Sequence, residues 1–460
     1  MITNDNFLTD AALGRVWDAL PDARVVGGAV RDALSGRPVA DLDLAVPHRP
    51  EAVMQALRQA GVKVVPTGLA HGTVTAVVDG RGFEVTTLRH DVETDGRHAV
   101  VAFTADWKED AARRDFTINA MSMARDGTVF DYFDGRADLT AGRVRFVGDP
   151  ATRIAEDYLR ILRFFRFHAR FGRVPPDAAT LDALKAGIPG LGQLSIERVW
   201  NELRRILAAP DPSDAIALME RLGIWTAVVP EVPFVSRLAG LPPDPILRLA
   251  AMLPRRGSGP EKARQSNTSA DSTAIHLASP SWPGLSGPPV AADGGKGGPD
   301  KPDHDEEGRH DGERCNDISG GATEMVKWPA ALALALAVRL KMSNGDRDRL
   351  VRLMETPRPS GSDDDLRRLL ADHRAADLLD RTWLDNDPGV RQRLNGMKRP
   401  VFLLEGRDVV ALGVPPGPAV GALLRDTRQW WMNGGCVAGR RACLNELARN
   451  ANLPNMGDKR

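Results

Sequence analysis

Residues 25–46 read VVGGAVRDALSGRPVADLDLAV, and the turn, helix and strand they spell out decide the fold. Val25 and Val26 end a short β-branched strand, and Gly27-Gly28 follows as a turn where no Cβ keeps the backbone from a ligand. Ala29 to Leu34 has helical spacing, ended by Gly36, Arg37 and Pro38. Val39 to Val46 then alternates, and alternate residues of a strand share a face. On that reading Asp41 and Asp43 point one way, with Leu42 and Leu44 on the other side. Carboxylates held this close repel, and hard divalent cations, Mg2+ above all, relieve the repulsion. Phosphoryl or nucleotidyl transfer by two metals is the chemistry that needs such a pair. A lone D-x-D also fits a polar strand edge facing water; the Gly-Gly turn and helix start just upstream favour the functional reading.

Working outward, Thr9 to Leu20 has the pattern of a capped amphipathic helix, and Glu51 to Ala60 of another. Strands are predicted at Val62–Val65, Thr73–Val78, Phe83–Arg89, Val129–Phe133 and Val144–Val147. Glu84 lies among apolar and β-branched neighbours, where it fits either a third metal ligand or the ion-pair partner of an arginine. Residues 90–110 are polar and lack helical period, which predicts a mobile loop beside an active site. Arg113 and Arg114 suit bidentate contacts to phosphate or ribose, or a solvated charge cluster.

From Thr152 the pattern is helical. In Arg153 to Phe167, the spacing of Glu156, Asp157, Arg160 and Arg163 predicts one helical face, which also fits an exposed salt-bridge ladder. Further helices are expected at Asp214–Leu222, Pro245–Met252, Trp328–Lys341, Asp346–Met354, Asp364–Asp380 and Val420–Asn450. Residues 255–325 are rich in Ser, Pro, Gly, Asp and Lys without apolar period, the composition of a disordered insertion. Its His304-Asp305 and His310-Asp311 pairs lack the packed helices a metal phosphohydrolase site requires.

Lys+Arg and Asp+Glu each total 61, so net charge singles out no partner. Between Arg143 and Arg205, however, 12 basic residues face 7 acidic ones, which suits a phosphate backbone. The three cysteines, Cys315, Cys436 and Cys443, form no C-x-x-C and fit a reducing cytosol. The start, MITNDNFLTD, lacks a basic-then-apolar signal, and the longest apolar run, Pro329 to Val338, is too short to span a membrane. The expectation is a cytoplasmic protein with no membrane partner and no obligate protein partner.

GGAVRD (27–32), DLDLAV (41–46), HGTVT (71–75), the run FEVTTLRH to RRDFTINAM (83–121) and RIAEDYLRILRFFRF (153–167) together resemble the class II CCA-adding enzymes. These are tRNA nucleotidyltransferases of the tRNA nucleotidyltransferase and poly(A) polymerase family, in the polymerase-β-like superfamily. The resemblance implies an α+β fold: a nucleotidyltransferase head (1–150), a helical neck (151–212), a helical body interrupted by the insertion (213–375) and a helical tail (376–460). It implies two Mg2+ held by Asp41, Asp43 and Glu84, with tRNA, CTP and ATP as partners. Gly27, Gly28 and Arg31 would serve the phosphates, and Arg113, Arg114, Asp115 and Asn119 the phosphate and sugar. Asp157 and Arg160 would read the incoming base, with Glu156 orienting the arginine and Arg163 nearby.

The base-reading role that the resemblance implies agrees with hydrogen-bond chemistry. A carboxylate only accepts and a guanidinium only donates. Cytosine and adenine each set an amino donor beside a ring-nitrogen acceptor, whereas uracil and guanine reverse the pair. Each mismatch leaves buried groups unpaired at about 1–3 kcal/mol. The change from C to A would involve the segment around Asp95 to Asp106 and the growing RNA end. CC-adding, A-adding and poly(A)-polymerase activities are the alternatives within the fold, and a non-catalytic RNA-binding relative is the alternative outside catalysis.

Overall fold

The computed structural model of the chain describes residues 7–39, 41–94, 99–233, 235, 237–254 and 321–452. It is α+β: a mixed sheet in the first third, and helices from residue 150 onward. The strands are β1 (Arg24–Val26), β2 (Asp43–Val46), β3 (Lys63–Gly68), β4 (Thr73–Val78), β5 (Arg81–Thr87), β6 (Arg89–Thr94), β7 (Ala99–Phe103), β8 (Ser122–Met123) and β9 (Val129–Phe130). Seven of them form one sheet in the order β3-β4-β5-β2-β1-β8-β9, with β2 and β5 parallel and the other pairs antiparallel.

Alternation gives this sheet two unlike faces. Leu44, Val46, Phe83 and Val85 pack with Leu13 and Trp17 of α1 (Ala11–Ala19), Val30 of α2 (Gly28–Leu34) and Val53 and Leu57 of α3 (Pro50–Gln59). Helix α1 is capped by Asp10, which accepts from the Leu13 amide at 3.0 Å. The other face carries a small apolar floor of Val26, Ala45 and Leu88, against which Trp107 packs. Asp43 and Glu84 stand on that face.

The remaining helices nearest the sheet are α4 (Trp107–Ala112), α5 (Gly135–Ala141), α6 (Pro150–Glu156), α7 (Leu159–Phe171), α8 (Ala178–Ala186) and α9 (Ile196–Leu207). A second core joins α7 and α9 to Phe116, Ile118, Val144 and Phe146, so the end of the head packs into the helical region. Two smaller clusters lie farther on, one around Leu366, Leu378 and Leu394 and one around Val409, Trp431 and Leu447. None of the described helices is long and apolar enough to cross a membrane.

Several expectations are corrected. The strand expected from Val39 begins at Asp43; Gly27, at φ +67°, turns the chain out of β1, so residues ahead of Asp43 have no partner on that side. Residues 144–147 form no strand; Phe146 makes a single bridge to Phe116 and is drawn into the helical core. The expected loop 90–110 contains β6 paired with β7, then α4, with 95–98 outside the described residues. Arg153–Phe167 is two helices, since Asp157 is extended (φ −157°, ψ 107°) and its carboxylate accepts from the Leu159 amide at 3.1 Å. Asp364–Asp380 breaks at an extended His373, and Val420–Asn450 breaks after Asn433, where Gly435 takes φ +73°. Helix begins at Gly321 rather than Trp328, and residues 255–320 of the insertion lie outside the described residues.

Candidate active site

Asp43 and Glu84 are register partners on the parallel strands β2 and β5 and so project side by side from the same face. Asp41 does not share their strand; it sits two residues ahead of β2, exposed. Burial, then Glu84, then Asp41 push the pKa of Asp43 above the usual carboxylate range, and Arg114 acts in the opposite sense. Glu84 and Asp41 therefore each stand within electrostatic reach of Asp43, as does the Arg114 guanidinium.

Arg114 also connects this face to the Gly-Gly turn. A Cβ at Gly27 would stand 2.9 Å from Arg114 Nη1, so a side chain there would collide as well as strain the backbone. Asp110, a residue the sequence reading passed over, fixes both arginines. It is 3% exposed and accepts from Arg113 Nε at 2.8 Å and from Arg114 Nη2 at 3.3 Å. Burial pushes its pKa up, yet Arg114 and Arg113 together hold it below the usual range. Its signal was the spacing: Asp110 sits three and four residues before the arginines at the end of a helix.

Arg31, Asp115, Asn119 and Arg163 form a chain of polar contacts with one another. Arg31 Nη1 donates to Asn119 Oδ1 at 2.6 Å, Asn119 Nδ2 donates to Asp115 Oδ1 at 3.0 Å, and Arg163 Nε donates to Asp115 Oδ2 at 2.7 Å. Burial raises the Asp115 pKa, but Arg163 and Asn119 hold it below the usual range. This chain runs from α2, just past the Gly-Gly turn, to α7 in the helical region.

The four polar residues expected on one helical face divide at the break in the helix. Glu156, the last residue of α6, is paired with Arg160 across it, and Arg153 Nη1 donates to Glu156 Oε2 at 2.9 Å. Asp157 pairs with Arg198 of α9, whose Nη2 lies 2.7 Å from Oδ2, and not with Arg160. Neither Arg153 nor Arg198 was singled out by the sequence reading, because one faces the expected ladder and the other comes from 41 residues away. Arg153 additionally donates to the Ala112 carbonyl at 2.8 Å, tying α6 to the residue before Arg113.

Among the described residues, no group of three His, Cys, Asp or Glu side chains is placed to hold a metal ion, so Asp41, Asp43 and Glu84 are not gathered into the three-carboxylate site expected from the sequence. The donor set nonetheless fits Mg2+, which characteristically takes one or two carboxylates and completes its shell with water and substrate phosphates. Asp43 with Glu84 supplies such a pair, and Glu84 and Asp41 both add negative charge near Asp43.

Comparison with known proteins agrees with this layout. Residues 23–145 match the Poly A polymerase head domain, and residues 175–235 match the probable RNA and SrmB-binding site of polymerase A. The mitochondrial CCA tRNA nucleotidyltransferase 1 of Danio rerio is 45% identical over 226 residues, 48% of this chain and 50% of its own. The Homo sapiens protein of the same name is 43% identical over 242 residues, 50% of this chain and 56% of its own. A CCA-adding enzyme of Pediococcus pentosaceus is 40% identical over 205 residues, 44% of this chain and 50% of its own. The chain thus spans about half the length of the curated relatives it matches. In overall fold it resembles the crystal structure of the Bacillus stearothermophilus CCA-adding enzyme in complex with CTP, at a TM-score of 0.61 and 24% identity over 98% of both chains. It resembles the Thermotoga maritima CCA-adding enzyme complexed with tRNA at a TM-score of 0.58 and 18% identity over 98% of this chain and 97% of that one. In its N-terminal half the chain is thus similar to the Poly A polymerase head domain and to CCA tRNA nucleotidyltransferases.

Proposed function

We propose that the protein adds CCA to the 3′ end of tRNA without a nucleic-acid template, using CTP and ATP and releasing pyrophosphate. The observation that carries this reading is the Asp43–Glu84 register pair, on the same sheet face as the Arg114 that closes over Gly27. Binding alone has no use for carboxylates crowded around Asp43; transfer of a nucleotidyl group does. Asp41, Asp43 and Glu84 would hold two Mg2+. When bound, these ions lower the pKa of the RNA 3′-hydroxyl and neutralise charge on the triphosphate.

The protein's own groups do the positioning. Gly28, the first residue of α2, offers its backbone amide to phosphate, whereas the Gly27 amide donates to the Met121 carbonyl at 3.1 Å and Gly27 serves through the close approach that a missing Cβ permits. Arg113 and Arg114, held by Asp110, neutralise phosphate charge and contact the sugar. Asp157 and Arg160 read the base edge, with Glu156 fixing Arg160. Arg31, Asp115, Asn119 and Arg163 support both sets from behind. The helical neck, body and tail would hold the tRNA. The cytoplasm is the proposed compartment, supported by the buried free thiols of Cys436 and Cys443.

The test supplies purified protein, Mg2+ and tRNA trimmed of its 3′ end, with CTP, ATP or both. A product three nucleotides longer only when both are present is expected. Growth by two with CTP, by one with ATP on a CC-ended tRNA, or by a long A tail would each replace this reading with the corresponding tailing activity.

A further inference from the structure

The sheet-side helix α2 and helix α7, which carries Arg160, also meet around an aromatic ring, where Arg31 of the polar chain is joined by Arg37. Phe171, the last residue of α7, is buried, with the Arg31 guanidinium carbon 4.7 Å and the Arg37 guanidinium carbon 4.4 Å from its ring centroid. Arg31 lies on α2, and Arg37 follows it by six residues. Arg37 Nη2 further donates to the Arg170 carbonyl at 2.8 Å, a C-terminal acceptor of α7. The helix is therefore held at two points, Arg163 on Asp115 and Phe171 beside two guanidinium groups, with Arg31 contributing to both and Arg37 to the second alone.

We infer that Phe171 and Arg37 are positioning residues for base selection, fixing the axis of α7 so that Arg160 meets the base held at the neighbouring phosphate site. The inference rests on the function proposed above. A helix rises about 1.5 Å per residue, so Phe171 lies about 12 Å beyond the Arg163 anchor and Arg160 about 4.5 Å before it. With the far anchor lost, α7 pivots about Arg163, and a shift of about 1 Å at Phe171 becomes about 0.4 Å at Arg160. Misplacement of a positioning group by about 1 Å costs up to about 100-fold, so roughly a fivefold effect on selection is expected. Cation–π contact is what a leucine of similar size cannot supply.

The experiment measures kcat/KM for CTP and for UTP on the same trimmed tRNA with wild-type protein, Phe171→Leu, Phe171→Tyr and Arg37→Gln. The CTP-to-UTP ratio is independent of the fraction of active protein, so a loss of folding alone leaves it unmoved. The ratio is expected to fall about fivefold in Phe171→Leu and in Arg37→Gln and to be kept in Phe171→Tyr. If Phe171→Leu does not fold, Arg37→Gln, altered at a half-buried surface arginine, decides the matter. An unchanged ratio in Arg37→Gln and in any folded Phe171→Leu protein, with wild type still selecting C over U, overturns the inference and leaves the proposed function standing. Wild-type protein that incorporates U as readily as C overturns both.

Discussion

Asp43→Ala is expected to reduce nucleotide incorporation by at least about 10³-fold while tRNA binding stays within a few-fold of wild type. Asp43 is the centre of the carboxylate group, next to Glu84 in register and repelled by both Glu84 and Asp41. Metal stabilisation of transition-state charge is worth several kcal/mol, and each 1.36 kcal/mol is tenfold in rate, which sets the scale. The tRNA surface is expected elsewhere, on the basic neck and the helices that follow it. Incorporation on trimmed tRNA and filter binding of the same tRNA separate the two effects. Substantial incorporation by the variant would remove Asp43 from the chemistry.

Asp157→Ala is expected to lower the CTP-to-UTP ratio about tenfold or more. The Asp157 carboxylate accepts from the Leu159 amide at 3.1 Å and from Arg198 Nη2 at 2.7 Å. A carboxylate has about four acceptor directions, so capacity is left for the amino group of cytosine or adenine. Alanine removes the acceptor that uracil O4 cannot satisfy, and one unpaired group of this kind is worth about 1–3 kcal/mol. Arg160, still fixed by Glu156, keeps its preference for a ring-nitrogen acceptor, so some discrimination remains. The ratio is measured by competition in one reaction, and a wild-type ratio in the variant would remove the protein-template idea.

Much of this site was legible in the sequence because its chemistry is local. Gly27 is required by a positive φ and the approach of Arg114, and a Gly-Gly turn after a β-branched pair announces such a bend. Glu84 stood out in the sequence as a carboxylate on a strand, and the pairing of β2 with β5 sets it in register beside Asp43. The D-x-D argument set both carboxylates on one strand face, but Asp41 lies outside the strand, so shared pleat does not bring it to Asp43.

What escaped the sequence is tertiary. Helical spacing put Glu156, Asp157, Arg160 and Arg163 on one face, but the backbone at Asp157 is extended and sends its carboxylate to Arg198. A local preference of Asp for turning its oxygen onto a nearby amide competes with the helix there, and it prevails. Arg163 likewise finds Asp115, 48 residues earlier, rather than a neighbour on its own helix. The pairing of β6 with β7 was hidden by polar residues and glycine, which masked the alternation that β strands show when half-buried.

The most direct measurement is a Mn2+ titration followed by electron paramagnetic resonance, with a non-hydrolysable CTP analogue present and the analogue alone as reference. Asp43 has a raised pKa in the folded protein, so lowering the pH through it protonates the carboxylate and weakens metal binding. The account predicts two Mn2+ retained per wild-type chain at neutral pH, fewer as the pH falls, and binding weakened at least about tenfold in Asp43→Ala. Equal Mn2+ binding by wild type and Asp43→Ala would contradict it.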